Sequence, residues 1–302
     1  MSNIAKKLKL KSSWQLCVMM LPPVLFLVVF NYIPMVGFVI AFQDYMPTKG
    51  FFGSPWIGLE HFRYLFKLPD VYQVAKNTVI IALFKIIVTQ SLALFVALLL
   101  HELRSKLFKG VVQSLFLFPY FLSWVILGGI FIDVLSERGA YGALMNMIGQ
   151  PPAFLLGDPN FFRPTMIITH AWKDFGYTMV ILVAALSSID PNLYEAAAID
   201  GANRWKRLLH VTLPGIMPTI ILLVVLAVGG ILNAGFEQIL MMYNSLVYKT
   251  GDIVDTLVYR LGFESGQYSL ATAVGLIKSI IGLTLILLSN WMAGKFANYR
   301  VL

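Results

Sequence analysis

Apolar positions along this chain fall in long runs separated by polar loops. A helix that crosses a bilayer needs about 20 mostly apolar residues. Six runs reach that length: residues 16–36, 74–100, 112–132, 163–186, 214–234 and 270–292. The pattern predicts an all-α integral membrane protein with six transmembrane helices. Residues 1–15 form a basic leading segment and residues 16–302 the membrane domain. Run five fades into Gly229, Gly230, Asn233 and Gly235. Such backbone is tolerated at membrane depth where it faces protein or a wet cavity. Lys6, Lys7, Lys9 and Lys11 precede the first run in the manner of a signal peptide. No small-residue cleavage site follows, and Pro22-Pro23 leads straight into more apolar sequence, so the run reads as an uncleaved span.

Composition supports this reading. Apolar residues make up 58% of the 302 positions and charged residues 13%, against about 25% charged in a soluble chain. Such a soluble fold would be covered in exposed apolar patches, so lipid is the better solvent. The net charge of +8 is a matter of topology rather than a nucleic-acid footprint. Alternate loops starting from the N-terminus carry 12 Lys and Arg, including Arg104, Lys106, Arg204 and Arg300, and the longer loops between them carry 7. Positive charge marks the cytoplasmic side, which places both termini inside. The external loops, 43–73, 133–162 and 236–269, are long and rich in aromatics, Gly and Pro. They could dock a partner, or Trp56, Tyr64, Tyr120 and Trp124 could serve as interfacial anchors.

No catalytic or metal site emerges. Cys17 is the single cysteine, and His101, His170 and His210 share no ligand spacing. Asp252 and Asp255 lie in an external loop without a nucleophile or base beside them. The chain also lacks the glycine-rich phosphate loop of an ATPase.

The loop 188–213 is far longer than the roughly 2–8 residues that join helices in bundles. Asp190 can cap a helix that starts at Pro191, where a missing donor costs nothing. Leu193 to Ile199 is strongly helical by propensity, Gly201 breaks it, and Asn203 can cap a second short helix carrying Arg204, Trp205, Lys206 and Arg207. Leu213-Pro214 would then start span five. A small alanine face rimmed by acids and bases suits a helix seated in another protein's groove. A hairpin lying on lipid headgroups would fit the basic half alone.

Glu195-Ala196-Ala197, three residues, Gly201, nine residues, then Val211-Thr212-Leu213-Pro214 resembles the EAA loop of binding-protein-dependent ABC importer permeases. Asn31-Tyr32-Ile33-Pro34-Met35, Trp56-Ile57-Gly58-Leu59-Glu60-His61-Phe62, Asn77-Thr78 and Pro119-Tyr120-Phe121-Leu122-Ser123-Trp124 extend the likeness over nearly the whole chain. They resemble the maltose-type oligosaccharide permeases, and within these the branch importing complex polysaccharide fragments. The resemblance implies a type I ABC importer permease fold and a non-catalytic subunit paired with a second, usually different permease. It implies two cytoplasmic ATPases that bind ATP and magnesium, with no cofactor on this chain, and an extracellular solute-binding protein that delivers the sugar. It assigns ATPase coupling to Glu195, Ala196, Ala197, Asp200, Gly201 and Arg204.

Lys85, Lys173 and Lys278 lie within the runs, roughly 14–17 Å deep at about 1.5 Å per residue. A membrane lysine costs about 2.5–3.5 kcal/mol and tends to face a cavity or a partner. Three at one depth, with Asp174 alone beside them, suggest a positive zone for an acidic, uronate-containing oligosaccharide; alternatively they pair with backbone carbonyls or with a second permease. Trp124 and Asn233 are further pathway candidates, as are Gln238 and Ser123. An ion-coupled secondary transporter would need repeated broken helices. A membrane transferase would need clustered acids or histidines.

Overall fold

The computed structural model describes residues 2–103 and 105–297; Arg104 and Arg300, both part of the charge count, lie outside them. Among the described residues there is no strand, only an isolated bridge between Gln43 and Trp56. Helix α1 (Ser2–Leu27) continues through a π turn at Val28–Tyr32 and a 3-10 stretch at Val36–Phe42. Next come α2 (Pro69–Glu102), α3 (Lys106–Leu117), α4 (Trp124–Val134) and α5 (Pro159–Ser187). They are followed by α6 (Pro191–Ile199), α7 (Arg204–Arg207), α8 (Leu213–Gly229), α9 (Phe236–Met242), α10 (Val254–Tyr259) and α11 (Tyr268–Ala297).

Among the described residues, four segments are long and apolar enough to cross a membrane unbent: Leu16–Phe42, Pro69–Glu102, Arg204–Gly229 and Tyr268–Trp291. Counting each of two bent pairs as one span gives six. Helices α2 and α5 share the most extensive interface. Ala93 and Ala97 on α2 are fully buried there, alongside Met179, Leu182 and Leu186 of α5. These small side chains let the two backbones approach closely, which is how membrane helices gain packing without a hydrophobic drive between them. A second core gathers Ile81, Trp124, Phe162, Met166, Ala234 and Ile239. A third ties Ala41, at the end of the first segment, to Leu270, Ala273 and Val274 of α11. Before that point the first segment is almost wholly exposed, Cys17 included.

Two expectations are corrected. Residues 112–132 do not form one straight helix. Helix α3 begins at Lys106, tightens into a 3-10 turn at Phe118–Phe121 and meets α4 at 99°. Pro119 brings no donor to the end of α3, and Ser123 Oγ accepts from Ile126 N at 3.3 Å to start α4 afresh. Nor does span five begin at Pro214. The basic turn α7, a π turn at Leu208–Thr212 and α8 form one continuous segment, Arg204–Gly229. Leu213 N donates to Leu208 O, five residues back, immediately before the proline. The wider turn accommodates a residue that has no N–H and whose ring would strike the carbonyl below it. The same arrangement precedes Pro34, where Ile33 N donates to Val28 O.

Candidate coupling helix and intramembrane lysine sites

Helix α6 hangs outside the bundle, turned 65° from α5. Asp190 Oδ1 caps it by accepting from Asn192 N at 3.0 Å. Its end is closed by Ala202 N to Ala197 O at 2.9 Å and Gly201 N to Ala198 O at 3.1 Å. Gly201 has φ +74°, the left-handed value such a terminus needs and that glycine adopts without strain. Asn203 Oδ1 then caps α7 by accepting from Lys206 N at 2.9 Å. Glu195, Ala196, Asp200, Gly201 and Arg204 are exposed and Ala197 is half-buried. The sequence reading passed over the apolar side chains beside them: Leu193, Ile199 and Trp205 are 53, 86 and 72% exposed. Apolar groups left open on a loop rimmed with charge fit a protein groove better than water. Behind α6 lies a cavity of about 430 Å³, bordered by His101, Glu102, Tyr194, Arg204, Arg207 and Thr212.

The pathway candidates gather at two breaks in the membrane helices. At the first, between α3 and α4, Lys173 Nζ donates to Tyr120 O at 2.9 Å. The same ammonium lies 5.2 Å from the Tyr120 ring and 5.7 Å from the Trp124 ring. Trp124 is buried and stacks on His170, so in this structure it is neither an interfacial anchor nor an open face for a sugar. At the second break, between α8 and α9, Lys85 Nζ donates to Ala234 O at 2.7 Å and to Gln238 Oε1 at 2.5 Å. Lys278 Nζ donates to Asn233 Oδ1 at 2.8 Å and pairs with Asp255 Oδ1 at 2.6 Å.

Asp174 is therefore not the only offsetting acid: Asp255, which the sequence puts in an external loop, folds onto Lys278, while Asp174 lies 3.2 Å from His170. Lys85 and Lys173 are buried, and Lys278 and Asp255 only partly so. Tyr120 O belongs to the turn that closes α3, and the carbonyl end of a helix carries partial negative charge, so a cation there is favourable by about 0.3–1 kcal/mol, more when buried. That offsets part of the cost of placing a lysine at this depth. Ala234 O lies beyond the end of α8, directly before the cap of α9, so Lys85 is held by its two hydrogen bonds and not by a helix end.

The far ends of the helices are tied by polar groups that the sequence did not single out for this role. Asn77 Nδ2 donates to Asp252 O at 3.0 Å and Lys249 O at 3.2 Å, while its Oδ1 accepts from Arg163 Nη2 at 2.6 Å. Arg260 Nη2 bonds Asp252 Oδ2 at 2.6 Å. Burial alone would lower the Arg260 guanidinium, but the hydrogen bond and charge of Asp252 outweigh it and hold it above its ordinary value.

A helical bundle with up to six apolar spans, one of them bent between α3 and α4, and one short exposed helix beyond it has the architecture of a multi-pass membrane protein. The chain belongs to the family of binding-protein-dependent transport system inner membrane components, which matches residues 90–298. It is accordingly a multi-pass inner-membrane permease subunit of an ABC importer that works with a solute-binding protein. This membership decides against the secondary transporter and the transferase. Protein LplB of Bacillus subtilis (strain 168) is 40% identical over 95% of this chain and 91% of its own length. The polygalacturonan/rhamnogalacturonan transport system permease protein YteP of the same organism is 39% identical over 96% of this chain and 90% of its own. A chain in the crystal structure of a bacterial ABC transporter that imports the acidic polysaccharide alginate superposes with a TM-score of 0.88. It is 34% identical, and the match covers 95% of this chain and 98% of that one.

Proposed function

We propose that this chain forms one half of the translocation pathway of an ATP-driven importer of acidic oligosaccharides. It pairs with a second, homologous permease, and each permease seats its coupling helix in one of two cytoplasmic ATPases that bind ATP and magnesium. Both termini face the cytoplasm, a reading supported by the 12 to 7 division of loop charge. The observation that carries the coupling role is the exposure of Glu195 and Ile199 on a capped helix outside the bundle, with Trp205 exposed on α7 after it. Glu195 meets a basic group of the ATPase, Ala196 and Ala197 let the two backbones close, Gly201 makes the turn, and Asp200 and Arg204 pair at the rim.

The acidic cargo is supported by two relatives matched over nearly their whole length, one named for polygalacturonan and rhamnogalacturonan and one for alginate. Both polymers carry uronate carboxylates. Of the seven pathway candidates, Ser123, Asn233 and Lys278 retain exposed surface; Lys85, Lys173, Trp124 and Gln238 are buried within the chain. The partly exposed polar cluster of Asn233, Asp255 and Lys278 suits the pathway or the partner permease better than lipid.

The test is purification of the assembled complex and measurement of ATPase stimulation by binding protein loaded with oligogalacturonide or with a neutral oligosaccharide of equal length. Acidic cargo should stimulate more strongly, and Lys278→Gln should narrow the difference. Equal stimulation by both cargoes in wild type would reject acidic selectivity. ATPase that still co-purifies with Glu195→Lys would reject the coupling role.

A further inference from the structure

Lys173 sits at the bend between α3 and α4 and Lys85 at the loop between α8 and α9, and the two junctions belong to one packed unit. Lys173 reaches from α5 to Tyr120 O, at the carbonyl end of the turn that closes α3. Lys85 reaches from α2 to Ala234 O, in the loop that follows α8. Each break is followed by a fresh short helix, α4 after Ser123 and α9 after Gly235.

These two helices then pack against each other so closely that a Cβ on Gly128 of α4 would lie 2.8 Å from Met241 Cβ of α9. Gln238 of α9 completes the unit. It accepts from Lys85 and donates to Met166 O at 2.9 Å and Thr169 Oγ1 at 2.7 Å, both on α5. Gly235 has φ +89°, and a Cβ there would lie 2.6 Å from Lys85 Nζ. The ammonium therefore fits because position 235 bears no side chain.

We propose that Lys85 and Lys173 are positioning residues. Each ammonium holds a backbone carbonyl in one non-helical link, Tyr120 O ahead of α4 and Ala234 O ahead of α9, and together they lock α4 and α9 to α2 and α5 as a single element that moves as one during transport. The ammonium groups act on backbone, so their effect does not depend on the charge of the cargo. This rests on the importer reading and not on the acidity of the substrate.

The experiment uses the complete transporter in lipid, with Lys85→Met and Lys173→Met compared with wild type on loaded binding protein carrying acidic or neutral cargo. Transport kcat should fall by about tenfold, equivalent to ~1.4 kcal/mol, with KM for the loaded binding protein unchanged and the loss equal for both cargoes. A rise in KM confined to acidic cargo would overturn the proposal in favour of cargo contact. Unchanged kcat per assembled complex would reduce the lysines to scaffold and overturn it as well.

Gly235→Asn keeps the lysine and tolerates the left-handed backbone but places a Cβ against the ammonium, so it carries the test if a lysine variant does not assemble. It should reproduce the kcat loss, and combining it with Lys85→Met should add little. Full additivity would also count against the proposal. Stimulated activity of wild type in the same preparation reports on the importer reading separately.

Discussion

The hydroxyl of Tyr194, on the coupling helix, lies 3.0 Å from Thr212 Oγ1, in the π turn that leads into α8. Thr212 is buried and sits eighteen positions further along the chain. The bond joins α6, the helix proposed to couple to the ATPase, directly to the next membrane segment. A displacement of α6 thus reaches α8 without passing through the intervening loop.

Removing that link should uncouple without disassembly. A neutral hydrogen bond contributes about 0.5–1.5 kcal/mol, so Tyr194→Phe should lower cargo-stimulated ATPase activity by roughly two- to tenfold. The exposed face of α6 is unchanged, and the ATPase should still co-purify. Undiminished stimulation would show that α6 drives the bundle by another route.

Pro214→Ala restores a backbone donor and removes the ring that requires the π turn. If the turn closes to an ordinary α turn, α7 rotates relative to α8 by about 100°, the angle of one residue in a 3.6-residue helix. Arg204 would then leave its place beside the coupling helix. Reduced stimulation with an intact complex is the expected result, and wild-type coupling would mean the π turn is incidental.

Lys278 and Asp255 form a partly buried pair, so each single neutralisation leaves its partner uncompensated. Lys278→Met and Asp255→Asn should each cost about 1–2 kcal/mol, read as a lower Tm in detergent. The double variant should recover at least half of the summed loss. Simple additivity would contradict the pairing.

Asn77→Ala removes a buried side chain that joins α2, Arg163 of α5 and the 249–252 loop. Loss of about 2 kcal/mol or more is expected from the carbonyls and guanidinium left unpaired. Tm should fall while ATPase co-purification holds, because the joint lies at the opposite end of the bundle from α6. Loss of the ATPase with unchanged Tm would place Asn77 in a different role.

Much of this was legible along the chain. Span number follows from run length, because a bilayer sets a minimum helix and no water is present to satisfy a broken backbone. The coupling helix follows from local chemistry: Asp190, Pro191, Gly201 and Asn203 act on neighbours within a few residues, and all four do in the structure what their types predict. The EAA pattern likewise identified the family from contiguous residues.

The fate of the membrane lysines was not legible, nor was the bend within the third run. Sequence placed three cations at one depth but not what each would touch. The partners are Tyr120 O, 53 positions away from Lys173, Ala234 O, 149 away from Lys85, and Asp255 Oδ1, 23 away from Lys278. Two of the three are backbone carbonyls, which every residue carries and which become special only when the backbone leaves a helix beside a cation. The run at 112–132 is apolar enough to pass as one helix; Pro119 and the Ser123 cap break it locally, and Lys173 then meets the carbonyl of Tyr120 at the bend. Run length and local capping are properties of neighbouring residues, and the sequence determined them. Which buried charge meets which broken helix depends on how α2, α5 and α11 are packed, and only the tertiary structure decided that.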